Sequence, residues 1–250
     1  MKRFALSIVL VLACWPGRDV APVPAASHRE IAAAQVLIEA LSQHSTYAGS
    51  LLVEDLFSGE VLAENNPDVA LNPASVMKLA TSLAALETFG PDHRFRTRFF
   101  ADGQVDKSGT LLGDLIVEGG CDPIFSKRET GQVVAALKAA GISRVNGGLR
   151  VSSGFYFVAP RMRSSATIAL SARLLRDAFI REGLPIRQQA AIGDVSGLEI
   201  TKHESARLEE ILLFQNAWSS NAIAEVVGES VGGPHAIEER LEAELHLPPG

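Results

Sequence analysis

The sequence has two cysteines, Cys14 and Cys121, which form no CxxC pair and no disulfide framework. Its six histidines include no HExxH, so no zinc signature is present. Aromatic residues make up only 6% of the chain, too few for a platform that stacks single-stranded nucleic acid. Lys and Arg total 23 against 29 Asp and Glu, a formal net charge of −6, whereas binding to a phosphate backbone needs clustered positive charge. Repeats and low-complexity tracts are also missing. What remains is a 250-residue chain, 47% hydrophobic and 21% charged. That is the composition of a globular protein with one large domain or two small ones.

The first 25 residues read as an address rather than as fold. Lys2 and Arg3 precede an apolar run from Phe4 to Cys14, and Pro16 and Gly17 break it. The run is too short to span a bilayer, and Val23-Pro24-Ala25 offers small residues for cleavage after Ala25. This is the plan of a secretory signal and predicts a periplasmic or secreted protein. Val11-Leu12-Ala13-Cys14 also resembles a lipobox, in which Cys14 would carry a lipid anchor. Both readings stand at this point.

Periodicity predicts a helix over 31–42, then a hairpin with strands at 50–53 and 60–63 around Leu56-Phe57-Ser58-Gly59. Asn72 and Pro73 start a helix with a buried stripe of Leu79, Leu83 and Leu86, ended by Gly90-Pro91. Strands are predicted from Phe95 to Phe99 and from Leu111 to Val117, and Gly119 to Pro123 forms a turn. Further elements are a helix over 132–140, a strand near 148–151, a helix over 167–182 and a short strand at 199–201. A helical stretch over 207–227, interrupted at Ser219-Ser220-Asn221, and a last helix over 235–245 complete the pattern.

One motif carries nucleophile chemistry. Ser75-Val76-Met77-Lys78 opens the helix that Asn72 caps, and a spacing of three puts hydroxyl and amine on one helical face. Helix N-termini favour an oxyanion, and a lysine can take the serine proton where burial and a nearby positive charge favour its neutral form. Alone, S-x-x-K is weak, since chance gives about half a match per chain of this composition. Ser219-Ser220-Asn221 adds an S-x-N triplet, and S-x-x-K followed by S-x-N belongs to penicillin-binding proteins and class A β-lactamases.

The stretch from Leu71 to Thr81 resembles that of the D-alanyl-D-alanine carboxypeptidase/endopeptidase family, the class C low-molecular-mass penicillin-binding proteins. Three further segments agree in order. Gly113-Asp114-Leu115 with Gly119-Gly120-Cys121-Asp122-Pro123 is similar to a G-D-L…G-G-G-D-P segment, with Cys121 where the family has glycine. Gly147 to Phe157 is similar to the strand and turn that follow, and Asn216 to Glu225 to the second-motif helix.

The resemblance implies an α/β (α+β) fold of the penicillin-binding, serine β-lactamase-like transpeptidase type, carrying an inserted accessory region. Residues 26–91 and 196–250 would form the catalytic domain and 92–195 the insertion. It implies a peptidoglycan hydrolase working through an acyl-enzyme, with stem peptides as substrates, β-lactams as covalent inhibitors and no metal or organic cofactor. Ser75 would be the nucleophile, Lys78 its base, Ser219 a proton relay and Asn221 the holder of the substrate amide. Asp122, by itself a turn initiator before Pro123, would by resemblance bind the amine of the substrate's side chain.

The family's third motif, K-T-G, is not found. Lys107-Ser108-Gly109 precedes the S-x-N triplet and reads as a turn, and the chain stops at Pro248-Pro249-Gly250. The fold is therefore expected to lack its C-terminal strands. A truncated, non-catalytic envelope protein is the alternative function. A class A β-lactamase fits less well, because 144 residues separate Ser75 from Ser219. His235 with Glu238 and Glu239 reads as a solvated helix face, and Cys121 as a small residue in a tight turn.

Overall fold

The computed structural model describes residues 50–54, 59, 61–158 and 165–245. The signal segment with Cys14, the helix expected over 31–42, most of the hairpin turn at 56–59 and the Pro248-Pro249-Gly250 end lie outside them. The chain divides into two compact units between Val76 and Met77. Among the described residues no helix is long and apolar enough to cross a membrane.

In the first unit, strands β1 (Leu51–Glu54) and β2 (Val61–Asn65) pair antiparallel as the expected hairpin, with a bulge between Val53 and Glu54. Asn72 Oδ1 then accepts the Ala74 N–H at 2.8 Å, and a 3₁₀ turn, Ala74–Val76, follows. The expected cap is therefore present, one turn ahead of the α-helix.

The second unit contains a five-stranded sheet. Its strands are β3 (Arg96–Asp102), β5 (Asp114–Glu118), β7 (Leu149–Val151), β8 (Ala190–Ile192) and β9 (Leu198–Glu204), in the order β8-β7-β5-β3-β9. β5, β7 and β8 run parallel, and β3 is antiparallel to both β5 and β9. Short β4 (Thr110–Leu111) and β6 (Arg144–Val145) pair beside it. Helices α2 (Lys127–Ala139) and α3 (Ile168–Arg181) make the parallel connections and pack on the sheet. Phe99, Leu115, Val117, Phe125, Leu137, Leu149 and Phe179 form the core between these layers.

A separate helical core follows. It is built by α1 (Met77–Phe89), α4 (Leu208–Trp218), α5 (Asn221–Ser230) and α6 (Gly233–Leu245) around Ala84, Ala85, Phe95, Leu208, Ile211, Ile223 and Val227. The loop from Gly119 to Phe125 joins the two cores, because Cys121 and Ile124 pack on the helices and Phe125 on the sheet.

Several boundaries differ from the sequence reading, each for a physical reason. Leu79 and Leu83 are exposed, and α1 instead buries Lys78, Thr81, Ser82, Ala84 and Ala85. Small side chains let α1 approach α4 and α5 closely, and the leucines point away. The strand expected over 111–117 is broken at Gly113, where a Cβ would lie 1.8 Å from the Asp102 carbonyl oxygen. α2 starts at Lys127 because Ser126 and Glu129 form a capping box, in which Glu129 Oε2 accepts the Ser126 N–H at 2.9 Å. α3 keeps the expected limits, capped by Thr167 and ended at Glu182.

Candidate active site

Ser75 lies in the middle of the 3₁₀ turn and is exposed. Lys78 is the second residue of α1 and is 9% exposed. The main chain of Lys78 is firmly held, since its carbonyl oxygen accepts Ser82 Oγ at 2.8 Å and Gln215 Nε2 at 3.3 Å. Gln215 Nε2 also reaches Ser82 Oγ at 3.1 Å, and Asn216 Nδ2 reaches the same oxygen at 3.1 Å. These side chains bind the first turns of α1 to the end of α4. Neither Ser82 nor Gln215 was singled out by sequence; their only signal is a polar residue inside an otherwise apolar helical stretch. Losing either would remove one of the two side-chain donors to that carbonyl, which costs about 0.5–1.5 kcal/mol.

Ser219 ends α4 in the left-handed conformation (φ 50, ψ 44), and its N–H donates to the Gln215 carbonyl. Ser220 caps α5, with its Oγ accepting the Ile223 N–H at 3.4 Å, and Asn221 is the first residue of α5. The S-x-N triplet is thus a helix–helix corner whose Ser219 and Asn221 side chains are exposed. The corner is anchored to the main chain of Lys78 through Gln215, because the Ser220 N–H also donates to the Gln215 carbonyl.

Asp122 takes another position. It is 2% exposed, and its Oδ1 accepts the Ile124 N–H at 3.0 Å, the turn expected before Pro123. Its Oδ2 lies 3.4 Å from His203 Nε2 and makes no hydrogen bond. His203 stands in no motif, and β9 and the 119–125 loop meet only through tertiary pairing. The preceding Cys121 has φ 58, a left-handed backbone conformation that favours glycine. Burial, and then the Glu229 charge, push the Cys121 thiol up, so it is held protonated.

The remaining motifs are structural. Asp106 Oδ1 accepts the Ser108 and Thr110 N–H groups around Lys107, and Gly109 has φ 78, so Lys107-Ser108-Gly109 is a turn. His235 is exposed beside Glu238 and Glu239. Among the described residues no group of His, Cys, Asp and Glu is arranged to hold a metal.

Comparison with known proteins bears on the family and the fold. The chain is 34% identical over 115 residues to the D-alanyl-D-alanine carboxypeptidase of Actinomadura sp. (strain R39), covering 45% of this chain and 21% of that one. A D-alanyl-D-alanine carboxypeptidase of Haemophilus influenzae is 26% identical over 105 residues, 42% of this chain and 22% of that one. The matches thus span about a fifth of each of these curated relatives. Among solved structures, penicillin-binding protein 4 from Haemophilus influenzae superimposes with a TM-score of 0.66 at 16% identity, over 84% of this chain and 70% of that one. A predatory endopeptidase from Bdellovibrio bacteriovorus, solved with its immunity protein, gives 0.59 at 18% identity, over 76% and 57%. Its penicillin G-acylated form gives 0.54 at 18% identity, over 76% and 55%. The fold is therefore that of penicillin-binding protein 4. The D-Ala-D-Ala carboxypeptidase 3 (S13) family matches residues 33–165, just over half of the sequence, and the chain belongs to that family.

Proposed function

We propose that this chain carries the active site of a serine D-Ala-D-Ala carboxypeptidase or endopeptidase that acts on peptidoglycan stem peptides through an acyl-enzyme. The observation that carries the reading is the corner at Ser219-Ser220-Asn221, tied by Gln215 to the main chain of Lys78 at the start of the Ser75 helix. The main chain of Lys78 and the S-x-N corner thereby share one buried network. The carboxypeptidase names of the relatives and the penicillin G-acylated endopeptidase support the reading.

Ser75 Oγ attacks the carbonyl carbon of the penultimate D-alanine, and Lys78 Nζ takes the hydroxyl proton. The negative charge on the former carbonyl oxygen is stabilised by N–H groups at the helix start. As the tetrahedral species collapses, the C–N bond breaks and the departing amine of D-alanine gains a proton through Ser219. Asn221 holds the substrate amide, and Asp122 belongs to the pocket for the substrate's side chain. Water then cleaves the ester, returning Ser75 as the hydroxyl. A β-lactam forms the same ester and stays attached. The order Ser75, Lys78, Ser219 and Asn221 needs no metal or organic cofactor.

The insertion is proposed as residues 92–195, with 26–91 and 196–250 as the catalytic part. Strands β3, β5, β7 and β8 fall inside 92–195, which supports it, while β9 (Leu198–Glu204) of the same sheet falls in the catalytic part. Export by the N-terminal signal, to the periplasm or beyond, with a lipid anchor on Cys14 as the alternative, completes the reading. The test is release of D-alanine from an acyl-D-Ala-D-Ala peptide, followed by enzymatic oxidation of the product. D-alanine should appear with the wild-type chain and not with Asn221→Ala. Equal release from both would overturn the assignment of the corner.

A further inference from the structure

One imidazole lies beside a buried carboxylate oxygen that makes no hydrogen bond, on a sheet face that also carries a buried hydroxyl without one. Asp122 Oδ2 lies 3.4 Å from His203 Nε2, and Asp122 is 2% exposed. Thr97 is fully buried, and its Oγ1 has no partner. Thr97 pairs with His203 in the β3–β9 register, so both side chains lie on the same face of the sheet. The His203 side chain is 13% exposed, more than that of Asp122, and packs edge-on against Phe125 at 5.2 Å between ring centres. Leaving a buried carboxylate oxygen and a buried hydroxyl unengaged is costly. An arrangement that offers two acceptors and one weakly held donor suits a cation with several N–H groups.

Resting on the reading of Asp122 as a substrate-binding residue, we infer that His203 is the displaceable cover of a subsite for a primary ammonium group. In this arrangement the imidazole stands where the ammonium of a stem-peptide side chain binds. When the peptide arrives, the ring swings from Asp122 towards solvent. The ammonium then donates to Asp122 Oδ2 and to Thr97 Oγ1. His203 is thus a specificity-determining residue: it blocks side chains without an amine from leaving the carboxylate bare, and it yields to those that bring their own donors.

The test compares equilibrium binding of two peptides to the full chain in a Ser75→Ala background, which prevents turnover. One is acetyl-Lys-D-Ala-D-Ala with its ε-ammonium intact, the other the same peptide acetylated there. The unmodified peptide should bind roughly 10- to 150-fold more tightly, the range for a hydrogen bond to a charged group. Asp122→Asn should remove that preference. His203→Phe should raise it by about 2- to 12-fold, since the imidazole contact with Asp122 no longer has to be displaced, and His203→Gln, which keeps a donor, should restore the original ratio. Thr97→Val should lower the preference while leaving the melting temperature unchanged or higher. His203→Leu serves if the phenylalanine variant does not fold, as judged by circular dichroism.

The outcomes separate the two claims. No preference in the Ser75→Ala chain, or one that survives Asp122→Asn, overturns the reading of Asp122 and the cover with it. A preference that Asp122→Asn removes but His203→Phe and Thr97→Val leave untouched overturns the cover alone, and makes His203 a structural partner of the turn.

Discussion

Lys78→Met lowers the rate of acylation by labelled penicillin roughly 10²- to 10⁴-fold, the range for loss of a positioned acid–base group. Methionine suits the site otherwise. It is a good helix former of similar length, and Lys78 is largely buried, so an apolar end is tolerated there. The contacts that bind α1 to α4 use the carbonyl oxygen of Lys78, which the substitution keeps. The thermal transition should therefore stay near that of the wild-type chain while acylation collapses. Gel fluorescence over a time course measures the rate. Acylation within about twofold of wild type would remove Lys78 from the proton transfer, since even the weakest acid–base role exceeds that.

The second large effect concerns stability. Phe125 is fully buried and lies within 5.2–6.3 Å, ring centre to ring centre, of Phe99, Phe155, Phe157 and His203. It is the residue by which the 119–125 loop enters the sheet core. Phe125→Ala should cost about 3–5 kcal/mol from lost burial and the cavity left behind. For a chain of this size each kcal/mol lowers the melting temperature by about 2–4 °C, so a fall of roughly 6–20 °C is expected. Leu213→Ala is the control, because Leu213 is 71% exposed on α4 and should change stability by no more than about 0.5 kcal/mol. Equal shifts for both would show that the aromatic cluster is not the keystone of this core.

What was legible in the sequence follows from how local each signal is. α3 was readable to within a residue because Thr167 caps it and its apolar face is regular. The corner at Ser219 was readable because three polar residues interrupt two apolar helices. The buried face of α1 was not, because leucine periodicity points to one face and close packing of Thr81, Ser82, Ala84 and Ala85 selects another. The start of α2 was legible and missed: Ser126-Lys127-Arg128-Glu129 is a capping box in plain sequence. The contact of His203 with Asp122 could not be read at all. It depends on β9 pairing beside β3 at the sheet edge and on the loop turning at Asp122, and no local pattern encodes both.

The residue roles remain tied to one prior claim, that Ser75 forms a covalent ester. The most direct measurement is peptide mapping by mass spectrometry after incubation of the chain with benzylpenicillin, with Ser75→Ala run in parallel. The account predicts a penicilloyl adduct on the peptide containing Ser75 and none in the alanine variant. An adduct on any other residue, or none on a folded wild-type chain, would contradict it.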